Sequence, residues 1–261
     1  MSRDWVERYL TLLGVDRAEP TLQTLQQITR AHLERVPFEN VTSILRRAAA
    51  GDAPVPPLDP NAILASWERR QGGGVCFEVA EMVSGLLVGL GYRAHVVLAS
   101  RDFIGTHQGV VVDLGERSYL VDVGNGAPFF EPIPLDAAFE TRRSGLAYRF
   151  SVEGDVCTQE RWVHGEWQPF FRYDLGVPDE RVREAAYQRH HTPGQSWVVD
   201  RLRLITCSSE QVVVLERGEL VRYTEGSKQA RPISDPAVVA AEVFNLPGLP
   251  VAAALRALAD R

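Results

Sequence analysis

The sequence predicts an α+β chain whose helices, strands and mixed tail follow one another in blocks. Apolar residues recur at helical spacing through the first third of the chain, and the period then changes to two. The tail mixes short strands with helices. Such blocks indicate segregated layers rather than alternating βαβ units, and no internal repeat interrupts them.

In the helical block, Trp5, Tyr9 and Leu12/Leu13 share one stripe, and Leu22, Leu25 and Leu33 form another after Pro20. The Pro-rich connector at 53–60 cannot be helix interior and separates these from a helix over 61–70. Val79, Met82/Val83, Leu86 and Leu90 make a further stripe, closed by Gly91 where helices end. From Tyr92 onward, 95–100, 109–114, 118–123 and 148–152 read as strands between Gly-containing turns. After Pro169 the pattern is loop-rich. Strands return at 202–206 and 211–216, with a third candidate at 220–224, and 235–244 and 250–258 read as helices.

Bulk properties narrow the function. The 261 residues are 45% hydrophobic and 24% charged, an ordinary globular composition with enough apolar side chains for a sizeable core. A formal net charge of −6 argues against non-specific nucleic-acid binding, although a local basic pocket can sit on an acidic protein. Apolar runs such as 83–90 are too short to span a bilayer, and the first residues carry acids and lack the apolar core of a signal peptide. Three cysteines without paired spacing speak against a disulfide framework and fit a reducing cytoplasm. No Cys-x-x-Cys exists and His190-His191 are adjacent, so no metal is expected.

The chemistry centres on Gly72-Gly-Gly-Val-Cys-Phe-Glu78. Three glycines let the backbone turn sharply and a ligand approach closely. The helix that follows places Cys76 at its N-terminus, where the macrodipole and unpaired N–H groups favour the thiolate. The same amides, with Gly74 and Phe77 as candidate donors, suit a developing oxyanion. The plainer alternative is a Gly-rich turn before a buried cysteine. A phosphate-cradling loop is the weaker one, because no Lys-Ser/Thr follows the glycines.

A partner base decides between these. His32 lies on a helix, His95 in a strand, His164 in a Gly turn, and His190/His191 in a polar loop. His107 opens a hairpin whose two-residue turn is Gly115-Glu116, with Gly first as type II′ prefers. In that register Leu114 faces Arg117 and Gly109 faces Asp122, so Asp122 is diagonal to His107 on the same face. A carboxylate there would fix the imidazole tautomer and leave the other ring nitrogen for a nucleophile. Asp122 could equally be a turn residue before Gly124-Asn125-Gly126.

At this point the residues resemble the arylamine N-acetyltransferase family. The resemblance rests on Val36-Pro-Phe-Glu-Asn40, Gly73-Gly-Val-Cys-Phe-Glu78, His107, Tyr119-Leu-Val-Asp-Val-Gly124, and Tyr187-Gln-Arg-His-His-Thr-Pro followed by Ser196-Trp197. It implies a helical bundle over residues 1–91, an antiparallel β-barrel over 92–195 and an α/β lid over 196–261, around a cysteine-protease-like Cys-His-Asp core. It further implies a ping-pong reaction with no permanently bound cofactor, in which Cys76 takes an acyl group from acetyl-CoA or another acyl thioester and passes it to an arylamine, hydrazine or related amine. By the same analogy Phe38 and Asn125 face the acceptor, and Gly124 and Gly126 admit the donor's pantetheine or simply form a turn.

Three positions depart from the family pattern: Gly72 where Arg is usual, Ala80 for Asn, and Asn125 for an aromatic residue of the arylamine pocket. An Asn offers no apolar ring face, so a small arylamine should bind less well. The expectation is acyl transfer with an unusual acceptor, donor or both. Alternatives are an amide synthase whose donor is borne by an acyl carrier protein, a cysteine hydrolase, and a binding protein that has lost activity.

Overall fold

The structure is a computed structural model that describes residues 1–260. Its helical block comprises α1 (Arg3–Leu13), α2 (Leu22–Arg35), α3 (Val41–Ala50), α4 (Pro60–Glu68) and α5 (Cys76–Gly89), with the short strand β1 (Phe38–Glu39) between α2 and α3. Three of the five helix starts carry a capping side chain. Ser2, Thr21 and Asp59 accept first-turn N–H groups, and Pro60 sits in the first turn of α4, where its missing N–H costs nothing. In α5, Phe77, Val79, Ala80, Met82, Val83, Leu86 and Leu87 are all buried. A helix buried on nearly every side lies at the centre of its layer.

The second block is an eight-stranded antiparallel sheet made of β2 (Arg93–Ser100), β3 (His107–Leu114), β4 (Arg117–Val121), β5 (Ile133–Pro134), β6 (Phe139–Arg143), β7 (Leu146–Glu153), β8 (Val156–Val163) and β9 (Glu166–Asp174). Its order is β5-β4-β3-β2-β9-β8-β7-β6. Val97, Val111, Leu120, Ile133, Phe150 and Tyr173, drawn from across the sheet, share one apolar cluster, so the sheet curls into a barrel-like shape around its inner face. Its outer face, through Val110, Val112 and Val121, packs into the same core as α5.

After α6 (Glu180–His190) and α7 (Trp197–Asp200) come β10 (Arg203–Cys207), β11 (Gln211–Glu216), β12 (Glu219–Thr224) and β13 (Ser227–Pro232), then α8 (Pro236–Glu242) and α9 (Val251–Ala259). These strands form a five-stranded sheet whose first member is β1 from the helical block. Val41 and Ile44 of α3 share an apolar cluster with Leu204, Val213, Phe244 and Ala254, so the tail is built onto α3 rather than set apart from it.

The hairpin register is the expected one, with Leu114 opposite Arg117 and Val110 opposite Val121, and Gly115 has φ +65°. Other segments differ from expectation. The stretch after Pro169 is not loop-rich: Pro169 lies within β9, opposite Glu160 and next to a register shift at Gln159/Glu160, the kind of irregularity at which a strand tolerates proline. α6 reads as polar because it buries only Ala186, Tyr187 and His190. Edge strand β13 exposes every residue, so no alternation marks it. His190 and His191, expected in a polar loop, end α6 and are buried. Trp162 is 43% exposed, with its ring against Trp167 near a hairpin tip.

One polar residue ties the helical block to the tail. The Asn40 amide donates to the carbonyls of Val198 (2.8 Å) and Arg201 (2.6 Å), and its Oδ1 accepts the Arg203 N–H (2.8 Å). Asn40 is fully buried, so truncation strands three backbone groups away from water. Asn40→Ala should therefore lower unfolding free energy by about 3 kcal/mol or more, measured by urea denaturation.

Candidate active site

Cys76 owes its position to the glycine loop before it. At Gly73 a Cβ would lie 1.9 Å from the Pro37 carbonyl oxygen, so only glycine fits. The Gly73 carbonyl accepts from Trp67 Nε1 at 2.6 Å, and the Gly74 carbonyl accepts the Glu39 N–H at 3.2 Å. The buried Glu39 carboxylate accepts from Gly73 N–H (3.1 Å), Thr42 N–H (3.1 Å) and Thr42 Oγ1 (2.7 Å). Glu78 reaches back to the Val75 N–H at 3.2 Å, while Arg46 pairs with its carboxylate. The first α5 carbonyl bond is Val79 N–H to Val75 at 3.0 Å, so the N–H groups of Cys76 and Phe77 lie within the unpaired first turn.

The opposite wall is the end of the β3–β4 hairpin. His107 Nε2 lies 2.9 Å from Asp122 Oδ1, which leaves Nδ1 for Cys76 in the same cavity. The other Asp122 oxygen accepts from Tyr173 Oη (2.7 Å) and Asn125 Nδ2 (2.9 Å). Phe171 stacks on the His107 ring at 4.6 Å and 12°. Burial disfavours the imidazolium, but the charges of Asp122 and of a Cys76 thiolate, with hydrogen bonds to both, outweigh it and push His107 up to about 10. Burial likewise opposes ionisation of Asp122, yet His107, Asn125 and Tyr173 together hold it below the usual carboxylate range.

Gly124 explains how close the two walls come. A Cβ there would lie 2.8 Å from Cys76 Cα, so the chain after Asp122 runs directly against the cysteine. Gly126 has φ +72°, and a Cβ would meet Ile205 Cδ1 at 2.4 Å. Both glycines thus meet a packing need of the protein itself.

Between the walls lies a cavity of about 90 Å³, lined among others by Cys76, His107, Phe38, Asn125, Phe171 and Trp197. Phe38 and Trp197 stack at 6.0 Å, and Arg101 and Arg203 also reach the cavity. Of the three departures only Asn125 faces it. Ala80 is buried in the α5 core, and Gly72 lies beside Ser66, Thr42 and Glu39. Burial pushes the Glu39 carboxyl up against the hydrogen bonds from Thr42 and Gly73.

Tyr173, Phe171 and Gln159 are absent from the residues singled out by sequence. Phe171 and Tyr173 alternate on one face of β9, a period-two signal hidden by Pro169. Of the remaining histidines, His190 also lines the Cys76 cavity, while the others lie away from it. His32 meets Tyr9 Oη at 2.9 Å, His95 meets the Leu175 carbonyl at 3.0 Å, and burial lowers His190 to about 4. Cys157 and Cys207 lie buried in strands, and burial pushes both thiols up to about 12. Among the described residues no cluster of His, Cys, Asp or Glu could hold a metal ion, and no helix is long and apolar enough to cross a membrane.

Comparison with known proteins bears on this arrangement. A family model described as N-acetyltransferase matches residues 21–248. The arylamine N-acetyltransferase of Mycolicibacterium smegmatis is 34% identical over 178 residues, which is 63% of this chain and 62% of that protein. Proansamycin X synthase of Amycolatopsis mediterranei is 26% identical over 177 residues, 64% of this chain and 66% of that one. The chain therefore spans about three fifths to two thirds of the length of these curated relatives. A solved M. smegmatis arylamine N-acetyltransferase superposes with a TM-score of 0.80 at 26% identity, covering 98% of this chain and 97% of its own. With the family model spanning most of its length and the fold shared from end to end, the chain belongs to the arylamine N-acetyltransferase family.

Proposed function

We propose that the chain is an acyltransferase with Cys76 as nucleophile, His107 as proton carrier and Asp122 as the group that orients and charges it. The observation that carries this reading is the His107–Asp122 contact of 2.9 Å beside a cysteine at a helix start, in one buried cavity. In the first half-reaction Cys76 Sγ attacks the thioester carbonyl of acetyl-CoA or a related donor. The C–S bond of the donor breaks, and the leaving thiolate takes the proton held on His107. In the second, an amine attacks the Cys76 thioester, His107 Nδ1 takes its proton, and the amide leaves while Cys76 returns to thiolate. Phe77 N–H, with Gly74 N–H as a second candidate, would hold the oxyanion in both steps.

The apolar rings of Phe38, Phe171 and Trp197 suit an aromatic amine as acceptor. The buried Cys76, His107 and Asp122, walled by apolar rings, favour transfer over hydrolysis. Amide synthesis from a carrier-borne acyl chain is the second reading. It is favoured by Asn125 in place of a ring and by the likeness to proansamycin X synthase. Free, buried cysteines are compatible with a reducing cytoplasm as the place of action.

Incubation with acetyl-CoA should add one acetyl group to the wild type by intact mass and none to Cys76→Ala. An adduct on that variant would place the nucleophile elsewhere. Asp122→Asn should cut kcat/KM by about 10⁴-fold through loss of imidazole orientation, read in a steady-state acetylation assay. Iodoacetamide should modify Cys76 alone in the native protein, mapped by peptide mass, since Cys157 and Cys207 are buried thiols with pKa about 12. His107 has a folded pKa of about 10 against 6.5 for a free imidazole. Its ion pairing therefore stabilises the fold fully below about pH 6.5. That stabilisation is lost as pH rises through about 10, so thermal unfolding from neutral pH upward should show an alkaline decline that is flatter in Asp122→Asn.

A further inference from the structure

A second cavity, of about 240 Å³, is walled by Phe77 rather than Cys76 and by Gln108 rather than His107. Successive side chains of a strand point to opposite faces, so β3 aims His107 at the catalytic cavity and Gln108 at this one. Pro57 and Tyr187 complete its apolar sides. The connector that carries Pro57 is held in place, because Gln188 exchanges hydrogen bonds of 2.9 and 2.8 Å with the backbone of Val55.

Gln108 is the feature that points to a ligand. Its side chain is 1% exposed, and neither Oε1 nor Nε2 has a hydrogen-bond partner in the protein. A buried amide with both ends unsatisfied is costly, and native proteins rarely keep one without a reason. A primary carboxamide is the complementary group, because its N–H would donate to Gln108 Oε1 while its carbonyl accepts from Gln108 Nε2. The volume lies below the range of drug-sized pockets, which limits the occupant to about one ring with a substituent.

Charge narrows the class further. Glu81, Glu180 and Glu184 line the cavity against the single guanidinium of Arg183, which already pairs with both Glu81 and Glu180. An anionic ligand would meet excess negative charge. We infer that this cavity is a second small-molecule site, apart from the Cys76 cavity, for an aromatic primary carboxamide held by the Gln108 amide with its ring against Phe77 and Tyr187.

Calorimetric titration of the full chain with benzamide tests this. Saturable one-site binding is expected, unchanged after Cys76 is alkylated with iodoacetamide. N,N-Dimethylbenzamide keeps the ring and the acceptor but has no donor, and should bind roughly tenfold or more weakly. Benzoate should not bind measurably. Gln108→Leu should weaken benzamide by a similar factor, and Leu58→Trp, which fills the cavity from the connector and leaves Gln108 in place, should abolish its binding. Absence of benzamide binding to the wild type overturns the inference, as does equal affinity for the dimethyl compound. Loss of binding on alkylation also overturns it, by placing benzamide in the catalytic cavity. These outcomes are read by equilibrium binding and stand whether or not the chain transfers acyl groups.

Discussion

Gly124 and Cys76 meet backbone to backbone, and much of the molecule is arranged around that contact. A Cβ at 124 would come within 2.8 Å of Cys76 Cα, so nothing can stand between the end of the hairpin and the start of α5. Cys76 belongs to the helical block, whereas His107 opens β3 of the barrel-like sheet and Asp122 directly follows β4. Their spacing is thus set by how two packed layers dock, through a shared core containing Val79, Val83, Val110 and Val121, together with the glycine loop that starts α5. Close-packed interiors are stiff, which suits a reaction that needs two side chains in fixed register.

The Pro-Phe-Glu-Asn segment acts on three sides of this contact with three successive residues. Phe38 lines the cavity and stacks on Trp197. Glu39 takes up the N–H of Gly73 and so shapes the loop that delivers Cys76. Asn40 binds the backbone at Val198, Arg201 and Arg203 and so holds the tail over the site. With Gly72 alongside, the Glu39 carboxylate is stabilised by neutral hydrogen bonds alone, and its proton affinity rises on burial.

Much of this was legible from residue patterns alone, and the reasons differ by element. The α5 stripe and the Gly115 turn carried strong local signals, so the helix-start cysteine and the hairpin register follow from spacing alone. β9 carried its signal on Phe171 and Tyr173 but was masked by Pro169, whose bulge-side position only the paired strand reveals. α6 has too few apolar residues to mark a face, although Asp179 stands as its cap. Most of what surrounds the His107–Asp122 pair was out of reach for another reason. Tyr173 and Gln159 are brought to Asp122 by strand order β3-β2-β9-β8, which is non-local information.

Asn125 shows what that non-local network entails. Its amide donates to Asp122 Oδ2 at 2.9 Å and to Gln159 Oε1 at 3.2 Å while its side chain lines the acceptor-facing cavity. A residue that lines the cavity is therefore also one of those that hold the Asp122 carboxylate charged. On the proposed function, a change at position 125 would act on the cavity wall and on Asp122 together. A ring at this position would leave Asp122 Oδ2 to the Tyr173 hydroxyl, and Gln159 Oε1 likewise.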